Sequence, residues 1–227
     1  MKPKICASIL PKTVKEALRL IKKAEGEEAD LIEIRLDTLT EYERLAEIAK
    51  HGSVPMIATN RSTKEGGKFQ GEEEKRMDIL LKAAESGFSY IDVELSAPNL
   101  GEFVSKLREI GVKPIISFHD FKKTPTLEEM DEILRLELKA GAELCKIITT
   151  AERIEDNLKV LEFVSKASQK SKLICFAMGE LGKPSRILSP LFGAYFTIAS
   201  LGRGRETAPG QLTLRELKLT YKILGVA

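Results

Sequence analysis

The strongest constraint on the fold of this chain is an alternation that runs from end to end, in which short runs rich in β-branched residues are each followed by an amphipathic stretch. That is the pattern of βαβ units building a parallel sheet. Strands are expected at residues 4–10, 31–37, 55–61, 90–95, 113–120, 144–150, 172–179 and 195–201, each followed by a helix. Their recurrence at on the order of 25 to 30 residues matches an eight-fold β/α barrel of ~250 residues. No Pro/Gly/Ser-rich linker, internal repeat or low-complexity segment interrupts the 227 residues. Residues 1–227 are therefore expected to form one α/β domain, a single (β/α)8 TIM barrel.

Within residues 75–86, Met77, Leu80, Leu81 and Ala84 fall on one helical face and Asp78, Lys82 and Glu85 on the other, as in a helix packed on a sheet. Gly87, Gly111 and Gly141 each follow such a stretch, where a helix end often needs the left-handed conformation. Strand parity says more about function. Ile32, Ile34 and Leu36 interleave with Glu33, Arg35 and Asp37. The outward face of a barrel strand packs on helices and must be apolar, so the charged set is expected to point inward. The same parity sends Asp92 and Glu94 inward. Charges enclosed in this way are costly unless they are paired or used.

Composition removes several classes of partner. With 36 Lys and Arg against 34 Asp and Glu, the net charge of +2 supplies no basic excess for a nucleic-acid backbone or an anionic membrane, and neither is expected as a partner. The apolar run near Met1 is too short for a signal-peptide core and no later run approaches membrane-spanning length, so a cytoplasmic location is expected. Cys6, Cys145 and Cys175 are far apart and odd in number, which fits small buried residues better than a disulfide framework. Two histidines, with no HExxH or Cys/His cluster, point to no metal and no cofactor. The 31% charged fraction and the lack of Trp would suit a heat-adapted source.

Lys146 is a lone lysine in a run of high β-propensity, sharing a face with Leu144 and Ile148. If that face is the barrel interior, desolvation and nearby cations favour the neutral amine, the form that attacks a carbonyl. The competing reading is a lysine that snorkels to the rim or pairs with Glu94. His119 closes an apolar strand at the end where barrel enzymes place catalytic groups, although a structural histidine there is also common. Arg61 and Glu65 lie in a segment that leaves the third strand through a glycine pair, as an active-site loop does, or they are charged loop residues that simply meet solvent. Arg186 follows the seventh strand, where a helix N-terminus can help to hold an anion, or it is a solvated surface arginine. The glycine-rich segment at residues 202–211 suits a mobile lid or an ordinary surface loop.

Taken together, Glu33, Arg35 and Asp37, the run from Arg61 through Glu65 to its glycine pair, Ser117 to Phe121, Cys145 and Lys146, Ser185 and Arg186, and Ala208 to Gln211 resemble type I 3-dehydroquinate dehydratases over nearly the whole chain. The resemblance implies that Lys146 forms an imine with the substrate ketone and that His119 moves the protons, with Glu65 supporting it. It implies that Arg186 clamps the substrate carboxylate, that Glu33, Arg35 and Arg61 bind hydroxyls and tune the site, and that Gln211 contributes from the lid. It also places Ser8 and Met178 at the pocket, although Met178 reads equally well as core packing. Thr207 stands where a serine often precedes the Ala-Pro-Gly-Gln run and keeps the hydroxyl. The first strand begins almost at Met1, so the N-terminal hairpin that plugs the barrel floor in longer relatives is expected to be absent or reduced. A homodimer acting on 3-dehydroquinate is implied as well. Two alternatives remain open from sequence: a class I Schiff-base aldolase, and a non-catalytic barrel that binds a small carboxylate.

Overall fold

A computed structural model describes residues 2–226. Eight parallel strands form one sheet in the order β7-β6-β5-β4-β3-β2-β1-β8. They are β1 (Ile5–Ile9), β2 (Leu31–Arg35), β3 (Met56–Thr59), β4 (Tyr90–Glu94), β5 (Lys113–His119), β6 (Leu144–Thr150), β7 (Leu173–Met178) and β8 (Thr197–Ser200). The seam between β7 and β8 is bridged by a backbone hydrogen bond, Tyr195 N–H to Leu173 O at 2.7 Å, which brings the sheet round into a nearly closed (β/α)8 barrel.

The outer layer holds α1 (Val14–Gly26), α2 (Leu45–Ala49), α3 (Glu73–Glu85), α4 (Leu100–Ile110), α5 (Leu127–Lys139), α6 (Asp156–Ala167), α7 (Lys183–Leu188) and α8 (Leu214–Ile223). Local chemistry fixes several helix starts. Thr126 with Glu129, and Thr213 with Glu216, form capping boxes that satisfy donors at both ends of the first turn. Gly87, Gly111 and Gly141 all take positive φ at the expected helix ends.

The structure corrects several expectations. After β2 the expected helix is short, the five-residue α2 reached through 3-10 turns, the first of which holds Asp37 against Arg35. Asp37 and Arg61 therefore lie beyond the strands drawn through them. The buried face of α3 is Arg76, Ile79, Leu80, Ala83 and Ala84, while Met77 and Leu81 are only half-buried. An arginine had no place on the apolar face read from periodicity, since its charge marks it as a solvent residue until a buried partner is known.

Parity holds elsewhere. Leu144 and Ile148 belong to the cluster inside the barrel with Ile174, Phe176 and Ile198, whereas Cys145 and Ile147 pack outward with Val160, Phe163 and Val164 of α6. At the floor Tyr90 and Tyr195 close the barrel, with Lys4 Nζ 4.7 Å from the Tyr195 ring and Lys113 Nζ 5.6 Å from that of Tyr90. Among the described residues no helix is long and apolar enough to cross a membrane.

Candidate active site

The C-terminal ends of the strands surround a cleft with about 520 Å³ of empty space, partly open to solvent. Its lining includes Glu33, Arg35, Arg61, Glu65, His119, Lys146, Met178, Arg186, Thr207 and Gln211. Ser8 does not line it. It stands behind Glu33 and donates its hydroxyl to that carboxylate, so its contact with the site runs through Glu33.

Lys146 rises from the middle of β6 into the barrel and is nearly buried. Its Nζ donates to Asp92 Oδ2 at 2.7 Å and lies 3.5 Å from Glu33 Oε1; Glu94, the partner considered from sequence, is engaged elsewhere. Asp92 also accepts from Arg61 Nη2 at 2.6 Å and from the Ser117 hydroxyl at 2.7 Å. Burial alone would raise the Asp92 carboxyl, but Arg61 and Lys146 outweigh it and hold the group far below the usual carboxylate range. Glu33 follows the same logic: burial opposes ionisation, and Lys146 and Arg35 overcome it. The Thr59 hydroxyl adds a bond to Glu33 at 2.9 Å. Arg35 is a bidentate partner of Asp37, with both contacts at 2.8 Å.

His119, paired in register with Ile148 on β6, ends β5 beside the amine. Burial, then the charges of Arg61 and Lys146, push its imidazole well below the usual value, so the ring is neutral and ready to accept a proton. Its Nδ1 has no hydrogen-bond partner and stands 3.8 Å from Glu65 Oε2. Glu65 is itself raised by burial and accepts from the Ser96 hydroxyl at 3.1 Å. Phe121 stacks on the imidazole at 5.8 Å between centroids. The loop that presents Glu65 folds back so tightly that a Cβ at Gly67 would sit 2.0 Å from the Arg61 carbonyl oxygen, which accounts for a glycine there.

Arg186 is the exception in this charged site. It is buried, its guanidinium lies 4.2 Å from the centre of the Phe176 ring, and its bonds go to carbonyls of Ile198 (3.4 Å) and Pro209 (3.3 Å). No acidic side chain among the described residues pairs with it, and desolvation lowers it to about 9. Ser185 fixes the start of α7 below it, accepting the Ala177 N–H at 3.0 Å while its own N–H donates to Asn157 Oδ1 at 2.9 Å. Segment 202–211 covers this side of the cleft. Gly179 N–H donates to Pro209 O at 3.2 Å, and Gly210, at φ 72°, approaches the Gly179 carbonyl so closely that a Cβ would meet it at 2.1 Å. The Gln211 carbonyl accepts the Thr207 N–H at 2.7 Å, leaving its buried Nε2 without a partner.

Sequence reasoning pointed Asp92 inward without giving it a role, placed Ser117 and Phe121 in a motif without giving either a role, and passed over Arg76. Adjacent-strand register would have found Ser117, which pairs with Lys146. Arg76 stands at helical spacing from Ile79, Leu80 and Ala83, a signal that its charge masks.

The arrangement offers a buried amine between carboxylates, a neutral imidazole and an unpaired guanidinium around one cleft, which suits covalent activation of a ketone bearing a carboxylate. Residues 5–227 match the family described as Type I 3-dehydroquinase. A 3-dehydroquinate dehydratase from Dehalococcoides mccartyi is 40% identical over 97% of this chain and 95% of its own. A bifunctional 3-dehydroquinate dehydratase/shikimate dehydrogenase from Arabidopsis thaliana is 37% identical over 96% of this chain and 36% of its own. Among solved structures, the type I 3-dehydroquinate dehydratase from Clostridium difficile, with covalently modified comenic acid, superposes with a TM-score of 0.89 at 29% identity, covering 98% of this chain and 92% of that one.

Proposed function

The chain belongs to the type I 3-dehydroquinase family, and from that premise we propose that it converts 3-dehydroquinate to 3-dehydroshikimate in the shikimate pathway through an imine on Lys146. The observation that carries this reading is the sharing of one cleft by the Lys146 amine, the neutral His119 imidazole and a buried Arg186 that has no acidic partner among the described residues.

The substrate carboxylate supplies the charge that Arg186 lacks, in a pairing that bidentate geometry favours. That anchors the ring with its ketone toward Lys146. The neutral amine attacks C3, and loss of water gives a protonated imine whose positive charge sits between Asp92 and Glu33, where the Lys146 Nζ stands. The C2 proton passes to His119 and its electron pair moves toward nitrogen. The resulting enamine expels the C1 hydroxyl as water, taking its proton from the imidazolium. Glu65, 3.8 Å away, stabilises that transient cation. Hydrolysis of the imine then frees the conjugated enone and the lysine, so the net change is loss of one water. Thr207 and Gln211 of segment 202–211 bear on the ring from above, and the unpartnered Gln211 Nε2 is available to a substrate hydroxyl. Arg61 holds Asp92 beside the amine, Arg35 pairs with Asp37 while its charge favours ionised Glu33, and Met178 supplies an apolar wall.

Ultraviolet absorbance of the enone on incubation with 3-dehydroquinate tests the activity, and its absence would overturn the reading. Borohydride reduction with substrate present, followed by peptide mass analysis, tests the chemistry: an adduct on Lys146 is expected. We further propose that the enzyme is a cytoplasmic homodimer; the buried free thiols of Cys6, Cys145 and Cys175 fit a reducing compartment, and light scattering at a single-chain mass would refute the dimer.

A further inference from the structure

One buried cation of the helix layer is tied to the charges of the cleft without lining it. Arg76 lies on the inner face of α3, buried. Its Nη1 donates to the Asn60 carbonyl at 2.7 Å, at the end of β3 just before Arg61, and stands 2.7 Å from Glu94 Oε2 at the end of β4. The other oxygen of Glu94 lies 2.9 Å from Arg61 Nη1. Both contacts of Glu94 are ion pairs with poorly aligned N–H directions, so their effect is chiefly coulombic. On its outer side Arg76 bonds Glu73 at the surface.

We infer that Arg76 is a positioning residue for the reaction: by sharing Glu94 with Arg61 it leaves Arg61 able to hold Asp92, and so it sets how tightly Asp92 holds the Lys146 amine. The inference rests on the imine chemistry proposed above. Three carboxylates (Glu33, Asp92, Glu94) face three cations (Arg61, Arg76, Lys146) in one buried chain of contacts. The other groups bearing on the amine are the Cys6 thiol from β1, Arg35 from β2, His119 from β5 and, behind β6, Glu137 from α5, with Arg186 across the cleft. Arg35 is neutralised by Asp37, and none of these groups can replace a charge lost behind Glu94. Without Arg76, Glu94 draws on Arg61 alone, Asp92 is left to Lys146, and the ammonium is held more firmly against the deprotonation that attack requires.

The test is the pH profile of kcat/KM for wild type, Arg76→Met, Arg76→Lys, Glu94→Gln and the Arg76→Met/Glu94→Gln pair. In Arg76→Met the acid limb is expected to move up by about one pH unit, with an about tenfold loss at neutral pH that is recovered in alkali. Arg76→Lys keeps the charge and should hold the limb in place, and the double substitution should bring it back by removing both charges. A uniform loss at every pH, or a double variant shifted as far as Arg76→Met, would overturn the role. If Arg76→Met does not fold, Glu94→Gln carries the test: with a cation now in excess its acid limb should move down, and an unmoved limb refutes the inference. Borohydride trapping of the wild type separates the two levels. Failure to trap any adduct rejects the imine itself, whereas normal trapping with unmoved limbs rejects only the part assigned to Arg76.

Discussion

The two faces of β6 treat buried ionisable groups in opposite ways. Inward, Lys146 sits in a chain of alternating charges where Asp92 and Glu33 remain ionised against the pull of burial. Outward, the fully buried Glu137 of α5 lies against the Cys145 thiol and the β6 backbone, and among the described residues its carboxyl oxygens make no bond of normal geometry and no cation pairs with it. Burial raises Glu137 well above the ordinary carboxylate value, so it persists as a neutral acid. Cys145 and Cys175 beside it are raised in the same way, chiefly by burial. Arg186 shows that a missing partner is not the distinguishing feature: it too is buried with no counter-ion among the described residues, but it faces a cleft partly open to solvent. An unpaired buried charge next to a cavity is a binding site in waiting, while an unpaired buried acid walled in by α5 and β6 only lowers stability.

That contrast can be broken by substitution. The largest effect is expected at Lys146→Met, where turnover should fall by at least about 10⁴-fold and borohydride trapping should vanish. Residual activity near wild type would remove the amine from the chemistry. His119→Ala should lose about 10²- to 10⁴-fold in kcat yet still form the trapped imine, as a mass shift on Lys146 would reveal. Arg186→Lys, which keeps the charge but loses the fork, should raise KM for 3-dehydroquinate by roughly ten- to a hundredfold with a smaller change in kcat; an unchanged KM would mean that the carboxylate binds elsewhere.

On the outer face the effect is smaller and of opposite sign. Glu137→Leu removes an unsatisfied buried acid of similar volume and should stabilise the fold by about 1–3 kcal/mol, read as a rise of several degrees in Tm with activity retained. The pH dependence follows from the direction of each shift. Glu137 binds its proton more tightly folded than unfolded, so wild-type stability falls as pH rises above the ordinary value of 4.5, and the advantage of Glu137→Leu should grow over that range. Asp92 is depressed, so its contribution is present above the ordinary value of 3.8 and is lost as pH falls further. Thermal melts across pH should therefore show the inner cluster failing in acid and the outer acid costing stability toward alkali. A Glu137→Leu melt that runs parallel to wild type at all pH values would erase the distinction.

Much of this was legible in the sequence because it depends on period and parity. Alternation of β-branched runs with amphipathic stretches gave the eight strands, and the two-residue strand period puts Glu33, Arg35 and Asp92 on the inner side of the barrel and Lys146 on one face with Leu144 and Ile148. Short motifs, read together, identified the family and brought Lys146, His119, Glu65 and Arg186 into one list. Tertiary structure decided what depends on closing the barrel. It sent Ser8 behind Glu33, gave the amine to Asp92, assigned Glu94 to two arginines, and left Arg186 and Glu137 unpaired on opposite sides of the wall. It also buried Arg76, whose charge marks it as a surface residue although its helical spacing from Ile79, Leu80 and Ala83 puts it on the inner face. The reason is physical: period fixes which way a side chain leaves its own element, but the partner that makes a buried charge tolerable comes from another element many residues away, and only the packed fold brings the two together.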